Sequence, residues 1–502
     1  MENLSAMRFV ALCLAAVGLT CALPFGAGAA GPRTSAPLAV GYASTADLLR
    51  AVGDGRADIV RVLPKLHVAE VRSHTADFAA TALHMRGVDY VEHLVSRTPR
   101  SEPALFPTAS SGMPYEWQFS ATHEDAVPAA VSRAAGAVKI AVIDTGADLS
   151  APDLSAKSPW TYNLSTGGPD VRDLNGHGTF VSSLAAGSVA NGEGVAGFGG
   201  DAQLLVIKAV RDDGSLTDLD EASGIMYAVD HGARVINLSV GGPATSATEQ
   251  RAVAYAAQHN VLIVAAVGNE YTMGNPIEYP AALLQPVGSR GHGGTGLAVG
   301  ASTADGSRAF FSNAGTQVSL VAPGLDVFGA ISSLSSPEEY PRASLPGSTA
   351  GLYGYSSGTS FATPEVVGAA ALVWGANPFL RSADVASIIK GTASGRGGWN
   401  PDTGYGVLDA AAAVARAGGP NGLVVHGSRS GAKFRFRWFG AAAVRYRVSL
   451  KVGAGATRVL VDNTTTTSYT VKVRRKHKYA FAVDALDANG AVAATTNYTY
   501  RY

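Results

Sequence analysis

Cysteine is almost missing from this chain. Cys13 and Cys21 are the two among 502 residues, and both fall in the amino-terminal segment. The remainder has no thiol, which excludes a disulfide scaffold and cysteine-based chemistry there. A charge of one sign is missing too. Lys and Arg number 39 against 39 Asp and Glu, so no global field draws the chain toward nucleic acid or an anionic membrane. Beyond Phe25 there is no apolar run long enough to span a bilayer. Charged residues are scarce at 16% against 47% hydrophobic, the balance of a folded, core-bearing protein. The length exceeds one ordinary core and implies several domains. Glycine is plentiful, with 59 residues, and speaks for many tight turns and close backbone approaches.

Arg8 precedes an apolar run from Phe9 to Phe25, and the small residues Gly26 to Gly31 follow it. With Ala27-Gly28-Ala29 as an A-x-A cleavage site, this reads as a secretory signal peptide over residues 1–30. The run is short and broken by Pro24, which argues against a membrane anchor. Thr20 before Cys21 fits a lipoprotein signal poorly. The expectation is a secreted, extracellular protein.

Residues 37–97 read as a compact α+β unit. Ile59–Leu63, Val68–Val71 and Val88–Val95 are strand patterns, and Ala76–Met85 is a helical one. The polar stretch from Ser96 to Gly112 reads as an exposed linker, where proteolytic nicking concentrates. From 137 to 415, strands at Val138–Ile143, Leu204–Ala209, Val235–Ser239 and Val261–Val267 alternate with helices. Those helices are expected at Thr179–Gly187, Asp218–His231 and Ala247–His259. Near-continuous apolar strands separated by helices predict an α/β fold, a parallel sheet covered on both faces. Ligand sites in such sheets lie beyond the carboxyl ends of the strands. From Asn421 to Tyr502 the period falls to two, as in Lys433-Phe434-Arg435-Phe436-Arg437-Trp438, which predicts a small β-sandwich. The domain reading is therefore 1–30, 31–112, 113–417 and 421–502.

Three short segments carry candidate chemistry. Ala141-Val142-Ile143-Asp144-Thr145-Gly146 puts a carboxylate at a strand end. Asn175-Gly176-His177-Gly178-Thr179 puts a histidine between glycines at a helix start. Ser357-Gly358-Thr359-Ser360-Phe361-Ala362 puts a serine ahead of a long apolar helix, whose amino terminus offers free N–H groups to an oxyanion. Each alone is as readily an Asx turn or a helix cap. Together, in the order Asp, His, Ser on an α/β pattern, they form a strong signal.

These blocks, with Gly358-Thr359-Ser360-Phe361-Ala362-Thr363-Pro364 and Ala265-Ala266-Val267-Gly268-Asn269, resemble the signatures of subtilisin-like serine proteases over roughly Tyr115 to Ala415. The resemblance implies Ser360 as nucleophile, His177 as general base, Asp144 as its orienting partner and Asn269 as an oxyanion donor. It also implies that Gly214-Ser215-Leu216 and Ser239-Val240-Gly241-Gly242 receive an extended peptide as an added strand. Ala266 and Gly268, facing Gly241, imply a mostly apolar pocket for a large side chain, with Glu270 at its rim. Residues 37–97 resemble the family's inhibitory propeptide, and the tail resembles a fibronectin type III module. No metal site is assigned. Calcium is a candidate cofactor, with Asp148 a candidate ligand, although the loop Ala190–Ala196 is shorter than the family's calcium-binding loop.

The chain departs from the family at Ala151, Phe361 and Glu365, where His, Met and His are frequent. The expected partners are peptide or protein substrates and the chain's own propeptide as inhibitor, with no nucleic acid and no membrane span. The tail carries 14 Lys and Arg against Asp462, Asp484 and Asp487. That surplus suits an anionic surface as well as a solvated spacer. Two other readings compete. Asp402-Thr403-Gly404 repeats Asp-Thr-Gly, as an aspartic protease requires, but it follows the loop-like Trp399-Asn400-Pro401. An inert subtilisin-like binding protein is the non-enzymatic alternative.

Overall fold

A computed structural model describes residues 36–53, 55–99, 115–192, 194–343, 352–419, 422–440, 442–443 and 445–502. The signal segment, both cysteines and most of the Ser96–Gly112 stretch lie outside the described residues. The amino-terminal unit runs β1 (Leu38–Tyr42), α1 (Thr45–Val52), β2 (Ala57–Leu63), β3 (Val68–Ser73), α2 (Phe78–Leu83) and β4 (Val88–His93). Its antiparallel sheet has the order β2-β3-β1-β4. The sequence pattern overlooked β1 and α1. Helix α1 starts where the Ser44 side chain accepts the Asp47 N–H, a capped beginning that polar residues signal better than apolar periodicity does. After β4 the chain continues into the two-residue β5 (Thr98–Pro99).

The central region is built on a seven-stranded sheet. In chain order its elements are β6 (Lys139–Asp144), β7 (Trp160–Asn163), α3 (His177–Ala186), β8 (Gln203–Lys208), α4 (Asp218–Asp230), β9 (Val235–Leu238), then β10 (Val240–Gly241) outside the sheet. They continue with α5 (Ala247–Gln258), β11 (Leu262–Ala266), β12 (Leu297–Ser302) and β13 (Leu320–Pro323). The hairpin β14 (Val327–Ile331) and β15 (Leu352–Ser356) leads to α6 (Thr359–Ala376), α7 (Ser382–Thr392) and α8 (Ala410–Gly418). All sheet neighbours are parallel, in the order β13-β12-β11-β9-β6-β8-β7.

Strand alternation divides the apolar residues between two cores. Ile140, Val142, Leu204 and Val206 pack with Leu184 of α3 and Val366 of α6. Ala141, Ile143, Leu205 and Ile207 pack with Leu219 of α4 and Val253 of α5. The expected α/β fold is present. The sequence reading missed β12 and β13, whose Ala, Gly and Ser residues give little apolar signal even though both strands are buried throughout. Every residue of α6 is buried as well, so the helix carrying Ser360 is the axis of one core.

The tail forms two antiparallel sheets from β16 (Leu423–Ser430), β17 (Lys433–Gly440), β18 (Arg445–Val452), β19 (Arg458–Thr464), β20 (Ser468–Lys472), β21 (Lys478–Leu486) and β22 (Val492–Arg501). The sheet orders are β16-β17-β20 and β19-β18-β21-β22. Along β17, Phe434, Phe436 and Trp438 are buried while Lys433, Arg435 and Arg437 are exposed, as the alternation requires.

Candidate active site

Asp144 is the last residue of β6 and His177 the first of α3. The two are fully buried, with His177 Nδ1 at 2.7 Å from Asp144 Oδ1. Asp144 Oδ1 also accepts the Thr145 N–H at 2.7 Å. Asp173, which the sequence reading did not single out, organises the turn before α3. Its carboxylate accepts from the Gly176 N–H, the Thr179 N–H and hydroxyl, and the Thr145 hydroxyl. A carboxylate a few residues before a helix start was the available signal. Thr145 then accepts the Gly178 N–H. A β-carbon at Gly178 would collide with the Gly146 carbonyl, so close approach of α3 to the end of β6 requires glycine there. Burial opposes the imidazolium of His177. The charge and hydrogen bond of Asp144, helped by Asp173 and Glu339, outweigh that and hold the ring above its ordinary pKa.

Ser360 is the second residue of α6, and its hydroxyl donates to the Ser239 carbonyl at 3.1 Å. The aromatic ring of the next residue, Phe361, lies 5.6 Å from the His177 ring. His177 Nε2 makes no hydrogen bond among the described residues. Asn269, just past β11, accepts the Thr359 N–H at 2.9 Å and the Thr359 hydroxyl at 2.8 Å through Oδ1. Its buried Nδ2 has no acceptor among the described residues. A buried amide donor without a partner is costly in a folded protein and marks a place for an incoming oxygen.

The two segments expected to receive a peptide hold one. Thr98 pairs with Gly241 and Pro99 with Val240, antiparallel. On the other side the Arg97 N–H donates to the Leu216 carbonyl at 2.8 Å. The described part of the expected linker, residues 96–99, is therefore docked on the central region: Arg97 is 1% accessible, while Ser96 and Thr98 are exposed. Gly268 faces a more polar wall than expected, since a β-carbon there would collide with the Asn313, Glu270 and Glu278 side chains. Glu270 accepts the Asn269 N–H, so it is tied into the site rather than merely solvated at a rim.

Asp148 does not fit a calcium ligand in this arrangement. Its two oxygens accept from the N–H and hydroxyl of Ser150 and of Ser333, which draws its pKa down and uses the carboxylate as a loop clamp. Beyond α3, the Asn191 amide and the Val195 N–H donate instead to Asp153, each at 3.0 Å. Asp402 is exposed and pairs with Arg308, as a loop residue does. Of the departures from the family pattern, Glu365 stands out. It is fully buried on α6 with no hydrogen-bond partner among the described residues, and burial holds its pKa well above the usual range.

The model of the subtilase family matches residues 135–406. The chain belongs to the subtilase family. Across 284 residues this subtilase is 35% identical to a thermophilic serine proteinase of Bacillus sp. (strain AK1), covering 57% of this chain and 63% of that one. It is 36% identical over 277 residues to Subtilisin BL of Lederbergia lenta, covering 55% of this chain and 90% of the relative. Fervidolysin from Fervidobacterium pennivorans, a keratinolytic enzyme related to subtilisin, superposes with a TM-score of 0.64 at 21% identity, over 93% of this chain and 76% of that one. That likeness bears on the fold. The subtilase region ends before the sandwich and begins after the amino-terminal unit.

Proposed function

We propose that this subtilase is a secreted serine endopeptidase, made as a precursor whose residues 37–97 form an inhibitory propeptide. The observation that carries the reading is the convergence at the carboxyl end of one sheet of a buried Asp144–His177 pair, Ser360 at a helix amino terminus and the unsatisfied Asn269 amide. When a peptide carbonyl arrives, the Ser360 hydroxyl turns from the Ser239 carbonyl and His177 Nε2 takes its proton. Asp144 holds Nδ1 and stabilises the imidazolium that results. The carbonyl oxygen, now negative, is met by Asn269 Nδ2 and the Ser360 N–H. His177 returns the proton to the leaving amine, and water repeats the sequence on the acyl-enzyme. The pairing of β5 with β10 supports the inhibitory reading, because it fills the cleft a substrate strand needs. The tail is read as a fibronectin type III-like module whose positive surplus suits an anionic surface. Among the described residues no helix is long and apolar enough to cross a membrane.

Labelling with a fluorophosphonate probe tests the reading, because an activated serine reacts and an ordinary one does not. The processed enzyme labels and the Ser360→Ala protein does not, with turnover lost by roughly a million-fold. Absence of labelling in the unaltered enzyme defeats the reading and leaves the inert binding protein. Asn269→Ala separates the oxyanion role. It lowers kcat by about a hundred- to a thousandfold with KM nearly unchanged, and a rise in KM at intact kcat contradicts that role.

A further inference from the structure

Arg97 is the least expected residue in the cleft. Its guanidinium is completely buried, with Nε 3.1 Å from Glu221 Oε2 and Nη2 2.7 Å from Glu249 Oε1, and both carboxylates are equally inaccessible. Nη1 reaches the Ser96 carbonyl at 3.3 Å. Glu221 lies in the first turn of α4 and Glu249 in the first turn of α5, so two separate helices deliver the carboxylates to one point. Asp218, also on α4, adds its charge, and the Thr245 hydroxyl orients Glu249 at 2.6 Å. A β-carbon at Gly242 would press on the Ser96 carbonyl and the guanidinium, so glycine there leaves the space the arginine uses.

Two buried carboxylates facing one another are unfavourable without a cation, and mutual repulsion adds to the desolvation of each. Burial, then the Glu249 charge, pushes Glu221 up to about 8 even with Arg97 in place. These helices therefore carry a cavity built for one cation, and the planar guanidinium can reach both carboxylates at once where an ammonium is a single point charge.

The register relates this cavity to the nucleophile. Thr98 stands opposite Gly241 and Pro99 opposite Val240. The following residue of any strand in this register stands opposite Ser239, whose carbonyl accepts the Ser360 hydroxyl. The cavity therefore reads the side chain three positions before the residue whose carbonyl meets Ser360.

We propose that Glu221 and Glu249, with Asp218 beside them, form a specificity subsite for arginine, selecting peptides that carry Arg three residues before the residue whose carbonyl carbon is attacked. Arg97 occupies that subsite as the precursor's own ligand. Residues 97–99 of this chain follow that register, with Arg97 in the subsite. The Ser360 oxygen bonds to the carbonyl carbon, the C–N bond breaks as the amine leaves with the proton from His177, and water then releases the new carboxylate. The proposal rests on the serine-protease reading and adds the substrate class to it.

The test uses the processed enzyme from the full-length precursor and a peptide series that differs at the one position, as Arg, Lys, citrulline or Leu. Citrulline keeps the shape of arginine without its charge. The expected result is a kcat/KM for the Arg peptide roughly 30-fold or more above citrulline and Leu, with Lys between. Glu221→Gln and Glu249→Gln each narrow the Arg-to-Leu ratio about tenfold or more, and the peptide series on unaltered enzyme stands if those variants fail to fold. Equal rates across the series, in enzyme that labels with the fluorophosphonate, overturn the subsite and leave Arg97 as a docking residue of the precursor. Failure to label defeats the underlying reading instead.

Discussion

The central region meets its two neighbours in opposite ways. The amino-terminal unit shares a core with it: Ala39, Leu63, Leu66 and Val68 belong to the same apolar cluster as Leu219, Ile225 and Val253. Charge complements that surface. Arg61 pairs with Asp220, Lys65 with Asp230, and Arg251 with Asp89. Glu92 reaches across to the start of α5 and accepts the Ala247 and Thr248 N–H groups, each at 3.0 Å, and the Thr248 hydroxyl at 2.8 Å. The sandwich keeps its apolar cluster to itself, around Phe436, Trp438, Val448 and Phe481. Its described approach to the central region is lighter, with His426 against the Phe379 ring and the Arg437 guanidinium 5.0 Å above that ring. The amino-terminal unit has a core of its own around Val40, Leu48, Val71 and Phe78 and adds a second apolar face to the central cluster, which binds the two units tightly; a module that shares no apolar cluster stands apart. The first junction suits the proposed inhibitory role, and the second suits a separable module.

The larger effect is expected at the first junction. Glu92→Ala removes charge-assisted hydrogen bonds at a helix amino terminus and weakens binding of the amino-terminal unit to the processed enzyme by about ten- to a hundredfold. An inhibition constant that does not move would place the docking energy elsewhere and weaken the comparison. The smaller effect belongs to the second junction. A chain ending at Gly419 is expected to keep the kcat/KM of the whole enzyme on short peptides, within about twofold, and to lose salt-sensitive adsorption to anionic polymers. Loss of peptide hydrolysis on that truncation would make the sandwich part of the catalytic fold. Adsorption that survives it, or ignores salt, would remove the electrostatic role.

Much of the site was legible because chemistry restricts residue choice. Asp144, His177, Ser360 and Asn269 each stand at an element end that the apolar strand or helix beside it announces. Segments 214–216 and 239–242, expected to receive a peptide, stood out for their small residues, which leave backbone free to pair, and residues 97–99 pair with both. What was not legible depended on distance. Asp173 carried only the weak signal of an acid before a helix start, and its link to the end of β6 comes from the Thr145 hydroxyl that the fold brings to it. Glu221 and Glu249 sit in helix first turns, where acids are ordinary. Only the packing of α4 against α5 turns them into a buried pair. Arg97 read as part of a polar linker because burial of a charge depends on partners more than a hundred residues away. In the sandwich, β19 and β22 are the edges of their sheet and show mixed exposure, so their alternation is blurred, while β17 and β21 in the interior were plain. Asp148 stands at a family position, and its bonds to Ser333, unlike those to nearby Ser150, come from a loop that the sequence does not place beside it.

The most direct test of the account is the kinetic mode of inhibition by the 36–99 segment added to processed enzyme as a separate chain. The segment has its own core around Val40, Leu48, Val71 and Phe78, so it can be studied as a unit. The account predicts that it competes with a peptide substrate, because residues 96–99 occupy the strand position between segments 214–216 and 239–242. KM rises in proportion to inhibitor and kcat stays fixed. Inhibition that lowers kcat at unchanged KM, or full activity in a precursor still carrying the segment uncut, would contradict it.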